Sequence, residues 1–256
     1  MELGQNIRGV FFDLYGTLLV YGDMKAAWSD WFTAFYSKLV PLGLSLSQES
    51  FSRECDRFFG KEPPQKRNDG FTIFERRIHG LCDRLGLAPS RDEVAGIADH
   101  IAEVWQQHVQ VDPDASTVLG ALMEAKTLAL VSNFDHPRYA KKVISNHQMT
   151  GFFHSIVISG DVGISKPDPR IFESALEQTG LSASEVVYVG DTEEDVIASR
   201  AAGIIPILIQ RQTNATDQNT LDFNSDDEAG ELENTQRFNV EVPKISSLKE
   251  LLHLIQ

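Results

Sequence analysis

Hydrophobic and polar positions recur along this chain in two distinct rhythms. Five short stretches are apolar on successive residues: Gly9-Val10-Phe11-Phe12, Thr127-Leu128-Ala129-Leu130-Val131, Ser155-Ile156-Val157-Ile158, Val186-Val187-Tyr188-Val189 and Ile205-Pro206-Ile207-Leu208-Ile209. Runs of this kind, rich in β-formers and without a polar face, predict strands buried on both sides of a parallel sheet. Between and after them, helical periodicity covers about 114–125, 137–147, 169–179, 193–202 and 246–255. Strand and helix in alternation predict an α/β fold, an open and mostly parallel sheet with helices on both faces.

One interval breaks the rhythm. From about Val20 to His108 the pattern is helical, punctuated at Pro41, Gly43, Gly60, Pro63-Pro64, Gly86 and Pro89, and no strand is expected there. The expected organisation is therefore a core of residues 1–19 and 109–256 with an all-helical insertion at 20–108. The insertion holds 12 of the 23 aromatic residues, including Trp28, Trp31 and Trp105, enough to pack a core of its own. A second irregular stretch, 212–236, carries seven acids and no Lys or Arg, which predicts a mobile acidic loop within the core.

That stretch supplies half of the chain's net charge of −14, from 23 basic and 37 acidic residues. The balance excludes a general affinity for nucleic acid or an anionic membrane, while the oligomeric state is left open. Cys55 and Cys82 lie without a Cys-x-x-Cys pair, which argues against a disulfide framework and a zinc knuckle. No run of about 18 apolar residues occurs, and the first residues lack the basic start and apolar core of an export signal, so a cytoplasmic protein is expected.

In open parallel sheets the loops after the strands converge on a ligand site, so the residues that follow each strand carry the information. Asp13 follows the first strand, Ser132 and Asn133 the second, and Asp191 with Asp195 the fourth, while Lys166 lies in Gly163-Ile164-Ser165-Lys166-Pro167-Asp168-Pro169. Asp13 and Asp191 on neighbouring strand ends can hold one Mg²⁺, a hard cation that takes one or two carboxylates together with waters and phosphate oxygens. Asp195, four residues after Asp191, shares its helix face and can support that site. The cation and Lys166 would neutralise a phosphate, Ser132 or Asn133 would donate to its oxygens, and Asp13 would attack phosphorus.

These stretches, in this order and spacing, resemble the four motifs of the haloacid dehalogenase-like hydrolase superfamily over nearly the whole chain. The first motif corresponds to Asp13, Tyr15 and Thr17, the second to Ser132, the third to Lys166 and the fourth to Asp191 and Asp195. The resemblance implies a Rossmann-like, three-layer core with 20–108 as a helical cap that opens and closes over the site. It implies Asp13 as nucleophile, Mg²⁺ held by Asp13, Asp191 and the Tyr15 carbonyl, and Asp195 supporting the metal and the lysine. Thr17, Ser132 and Asn133 would bind the phosphoryl group of a small anionic substrate, a phosphorylated metabolite, and Lys166 would neutralise it.

Tyr15 departs from the phosphatases of this family, which carry there a second aspartate as general acid and base. A phenol with a reference pKa near 10 is a poor substitute, and loss of general acid–base catalysis costs about 10²–10⁴-fold. Asp-Leu-Tyr-Gly-Thr is the form found in the family's 2-haloacid dehalogenases, whose aspartate displaces halide from carbon. Gly190-Asp191-Thr192-Glu193-Glu194-Asp195 is instead the phosphatase form of the fourth motif, and Trp28 to Gln48 contains no arginine to grip a substrate carboxylate. The metal-dependent phosphatase is thus the expected activity, with a dehalogenase as its rival and a ligand-binding or partner-binding member, weakened in catalysis by Tyr15, as a third reading.

Overall fold

The structure, a computed structural model, describes residues 6–55, 58, 69–211 and 242–255. Its elements in chain order are β1 (Gly9–Phe12), β2 (Leu19–Tyr21), α1 (Met24–Leu39), α2 (Gln48–Cys55), α3 (Ile73–Arg84), α4 (Arg91–Gln106), β3 (Val109–Val111), α5 (Ala115–Met123), β4 (Thr127–Ser132), α6 (Pro137–Asn146), β5 (Ser155–Ile158), α7 (Ser159–Val162), α8 (Glu173–Thr179), β6 (Val186–Gly190), α9 (Glu193–Ala201), β7 (Ile205–Ile209), β8 (Lys244–Ile245) and α10 (Leu251–Leu254). The chain forms two compact units. Among the described residues one comprises 6–20, 111–211 and 242–255, and the other 21–55, 58 and 69–110.

The first unit is built on a six-stranded sheet in the order β5-β4-β1-β6-β7-β8, with every adjacent pair parallel. The chain lays down β1, β4 and β5 toward one edge, then returns to the other side of β1 for β6, β7 and β8. This is the doubly wound order, and its reversal lies between β1 and β6. The apolar runs become strands because both faces of the sheet are covered. Phe11, Ala129, Val131, Val157 and Tyr188 pack with Phe172, Ala175 and Ala198 from the helical side, all buried. Val10, Phe12, Leu128, Leu130, Val187 and Val189 alternate with them along the strands and are also buried.

In the second unit α1 and α4 pack along one another, and α3 packs on α4. Capping boxes start α3, at Thr72 and Glu75, and α4, at Ser90 and Glu93. The aromatic residues fill this unit's interior: Trp31 meets Phe35 edge-on at 5.2 Å, Phe35 meets Phe51 at 5.4 Å, and Phe58 meets Phe74 at 6.1 Å. Cys55 and Cys82 are buried there too. Of its basic residues, Arg76 pairs with Asp69 at 2.6 Å and Arg77 donates to the Phe58 carbonyl at 3.1 Å.

The structure departs from the sequence pattern in its smallest elements. β2 and β3 form a two-stranded sheet, and β2 overlaps the start of the interval expected to lack strands. Three-residue strands are too short to display a period. The helix expected at 169–179 opens as a 3₁₀ turn, Pro169–Phe172, and the last one divides into a 3₁₀ turn, Leu248–Glu250, and α10. The acidic stretch 212–236 lies outside the described residues.

Phe172 is fully buried and its ring meets Tyr188 edge-on at 4.8 Å. Phe172→Ala is expected to cost about 3–5 kcal/mol of stability. Urea unfolding should show a lower midpoint with an unchanged slope; an unshifted midpoint would contradict this packing.

Candidate active site

The reversal point between β1 and β6 brings the ends of two strands together. Asp13 follows β1 and its N–H donates to the Val189 carbonyl of β6 at 2.9 Å. Asp191 follows β6, and Asp195 lies in the first turn of α9, four residues on. Carboxylate oxygens of the three lie within 4.8 Å of one another. Such an approach needs backbone that stays out of the way. At Gly16, where φ is +84°, a Cβ would come within 2.1 Å of the Asp191 carboxylate, and at Gly190 one would come within 2.4 Å of Asp195.

Lys166 enters this cluster from the loop before α8. Its ammonium donates to Asp13 Oδ1 at 2.7 Å, to Asp195 Oδ1 at 2.6 Å and to the Tyr188 hydroxyl at 2.9 Å. All four groups are buried. The second oxygen of Asp195 accepts from the N–H groups of Asp191 and Thr192 at 3.1 and 3.0 Å and from the Thr192 hydroxyl at 2.7 Å. Both of its oxygens are thus engaged in holding the lysine and the start of α9.

One ammonium faces three carboxylates, and the protonation behaviour follows. Burial raises the Asp13 carboxyl, the Lys166 charge opposes that rise and Asp195 adds to it, leaving it pushed up to about 6. Asp191, raised by burial and by the charges of Asp13 and Asp195, is pushed up to about 7. Asp195 is lowered, because the Lys166 charge and its hydrogen bonds outweigh its burial. Burial alone would lower the Lys166 ammonium, but Asp13 and Asp195 override it and raise it. Burial raises the Tyr15 phenol, so Tyr15 is neutral at ordinary pH.

The donor set fits a hard divalent cation. It consists of carboxylate oxygens around a shared point, carrying more negative charge than the lysine offsets. With Asp195 committed to Lys166 and Thr192, the carboxylates of Asp13 and Asp191 are those that would hold it.

The site residues expected from the sequence are mostly brought together, though with partners the sequence does not reveal. Ser132, at the end of β4, lies beside Asp13, and its hydroxyl helps to lower that carboxyl. Thr17 donates to Asp191 Oδ1 at 3.3 Å. Asn133, expected to face a phosphate, has its amide on the main chain of Lys166, accepting from its N–H at 2.9 Å and donating to its carbonyl at 3.0 Å. Tyr15 is buried with its ring stacked on Phe134 at 4.9 Å. His136, next to this region in sequence, is buried and stacks on Tyr139 at 6.0 Å.

Two residues escaped the sequence reading. Tyr188 lies in an apolar run, but a phenol in a strand buried on both faces must place its hydroxyl somewhere, and that was the available signal. Arg211, just after β7, pairs with Asp112 at 2.7 Å and donates to the carbonyls of Thr17, at 2.6 Å, and Gly16. Nothing in the local sequence announces that clamp on the loop after β1.

Comparison with known proteins places the chain in a family and agrees with the fold. Residues 7–203 match the haloacid dehalogenase-like hydrolase family. A glyceraldehyde 3-phosphate phosphatase of Methanopyrus kandleri is 29% identical over 214 residues, 80% of this chain and 84% of that protein. A hydrolase from Bacillus subtilis, whose structure is bound to magnesium, superimposes with a TM-score of 0.58 at 18% identity, over 98% of this chain and 100% of that one. A 2-haloacid dehalogenase from Pseudomonas syringae does so with a TM-score of 0.61 at 23% identity, over 97% and 98%. At such identities the solved structures show the fold, a sheet with a helical insertion, and the sequence match shows the kinship: the chain belongs to the haloacid dehalogenase-like hydrolase family.

Proposed function

We propose that this protein is a Mg²⁺-dependent phosphatase acting on a small phosphorylated metabolite, with Asp13 as nucleophile. The observation that carries this reading is the cluster of buried Asp13 and Asp195 with half-buried Asp191, whose charge exceeds what Lys166 offsets. Relatives that act on small phosphorylated metabolites support the substrate class.

In this reading an Asp13 carboxylate oxygen attacks phosphorus, the bond from phosphorus to the leaving oxygen breaks, and an aspartyl phosphate forms. Water then attacks that phosphorus, releasing inorganic phosphate and restoring Asp13. Asp13, Asp191 and the Tyr15 carbonyl would hold Mg²⁺, which when bound would supply positive charge to the phosphoryl oxygens. Lys166 supplies a second, fixed positive charge, and Ser132 and Thr17 donate hydroxyl hydrogens. Asp195 keeps the lysine in place. Tyr15, a neutral phenol where the resemblance to the family's phosphatases implies a carboxyl, leaves the departing alkoxide poorly served, so esters with acidic leaving groups react fastest.

Tyr15 also favours a second reading, displacement of halide from carbon by Asp13, since halide departs without a proton. The three carboxylates count against it, because without a cation they repel a carboxylate substrate. Chloride release from a 2-chloro acid without metal would select it.

Turnover of an aryl phosphate tests the reading directly. It should require Mg²⁺ and vanish in Asp13→Asn with the fold intact; metal-independent turnover, or activity surviving in Asp13→Asn, would refute it. With an alkyl phosphate, Tyr15→Asp is expected to accelerate hydrolysis roughly a hundredfold. An unchanged alkyl rate would show that the phenol is not the limiting feature.

The raised carboxyls of Asp13 and Asp191 give a pH dependence with a definite sign. Relative to an unfolded value near about 4 they bind protons more tightly in the fold, so the stability they contribute is present below that value and lost as pH rises through about 6 to 7. A cation must displace those protons and then relieves the repulsion. Mg²⁺ should therefore raise the melting temperature strongly near about pH 8 and little near about pH 5. An equal shift at both would contradict the placement of the cation on these two groups.

A further inference from the structure

A buried lysine acts as a fixed charge only if something fixes it. Its side chain is flexible, and its ammonium carries three hydrogens that each need an acceptor once water is gone. We propose that Asn133 and Tyr188 are positioning residues for Lys166, Asn133 gripping its main chain and Tyr188 its ammonium. For its kinetic consequence this rests on the phosphoryl-transfer reading of Asp13; for its geometry it does not.

At the ammonium end, Asp13 and Asp195 take two of the three hydrogens, and the nearest acceptor for the third is Tyr188 at 2.9 Å, against 3.5 Å to the Val131 carbonyl. The hydroxyl of Tyr188 has a single hydrogen, and its closer acceptor is the Val131 carbonyl at 2.7 Å, against 3.2 Å to Asp195 Oδ1. Donating there turns an oxygen lone pair toward Lys166. The ring cannot swing away, because it is buried in the sheet and meets Phe172 edge-on at 4.8 Å. A neutral acceptor suits the third position, since it completes the ammonium's hydrogen bonds without adding another negative charge to a site that has three.

At the main-chain end, the Asn133 amide closes a pair of hydrogen bonds with Lys166, Oδ1 accepting from its N–H at 2.9 Å and Nδ2 donating to its carbonyl at 3.0 Å. The other contact of Nδ2 is Glu194 Oε2 at 3.4 Å. The pairing ties the loop that carries Lys166 to the end of β4, beside Ser132, whose hydroxyl helps to lower the Asp13 carboxyl. Lysine and nucleophile are thereby referred to the same strand end. An amide engaged in this way acts on the reaction through the lysine it holds, rather than by donating to a phosphoryl oxygen.

The test uses the full chain and compares wild type, Tyr188→Phe and Asn133→Asp, with Lys166→Met to assign the lysine signal. Tyr188→Phe removes only the hydroxyl, and Asn133→Asp keeps the shape while losing the donor to the Lys166 carbonyl; if Asn133→Asp does not fold, Asn133→Ala takes its place. Lysine-selective ¹H–¹⁵N NMR should show the Lys166 ammonium exchanging slowly with water in wild type and faster in both variants. Aryl phosphate turnover should fall about 10- to 100-fold in kcat, with KM nearly kept. Unchanged Lys166 exchange in either variant overturns its assignment, as does a raised KM at constant kcat in the Asn133 variant, the mark of direct phosphate binding. If wild type hydrolyses no phosphate ester, the phosphatase reading falls while the NMR comparison still decides the positioning.

Discussion

Three carboxylates, two buried and one half-buried, around one ammonium are the constraint on which this site depends. Left alone, Asp13, Asp191 and Asp195 would repel one another and take up protons, and burial, with that repulsion added, raises the carboxyls of Asp13 and Asp191. Lys166 resolves it only in part, by bridging Asp13 and Asp195. The rest of the local structure serves the same bridge. Gly16 and Gly190 leave space for the carboxylates, and the N–H groups of Asp191 and Thr192 with the Thr192 hydroxyl, just before α9, engage the oxygen of Asp195 that the lysine does not use. What is left uncompensated lies on Asp13 and Asp191, the two groups best placed to share a cation.

The fold delivers this crowding through chain order. Because the strands run 5-4-1-6-7-8 in this numbering, the connections after β1 and β6 leave in opposite directions and open a crevice at their carboxyl ends. Asp13 and Asp191 each come directly after one of those two strands, so the register that pairs Phe12 with Val189 also sets the distance between the carboxylates. Arg211, at the end of the next strand, holds the carbonyls of Gly16 and Thr17 and so keeps the loop after β1 against Asp191. Sheet register, loop and helix start converge on a few ångströms.

Much of this could be read in the sequence, for a physical reason. Strands buried on both faces leave uninterrupted apolar runs, and in such sheets the residues just after them line a crevice, so Asp13, Ser132 and Asp191 are marked by position alone. Lys166 was found by its motif rather than by a strand end. The partners of these residues were less legible. That Asn133 spends its amide on Lys166 follows from how a loop 33 residues away returns to β4, and no local pattern encodes it. Tyr188 reads as one more core residue until the direction of its hydroxyl is known. β2, β3 and β8 span only two or three residues each, below the length at which periodicity speaks.

Tyr15 makes the account sharply testable. With a neutral phenol in place of a carboxyl, the covalent intermediate on Asp13 should break down slowly enough to accumulate. The most direct measurement is peptide mapping after acid quench of the protein mixed with an aryl phosphate. Asp13 acting as nucleophile should leave a base-labile phosphate on the peptide containing Asp13, formed with Mg²⁺, absent without it and absent in Asp13→Asn. Metal-dependent product release with phosphate attached at another residue would contradict Asp13 as the nucleophile.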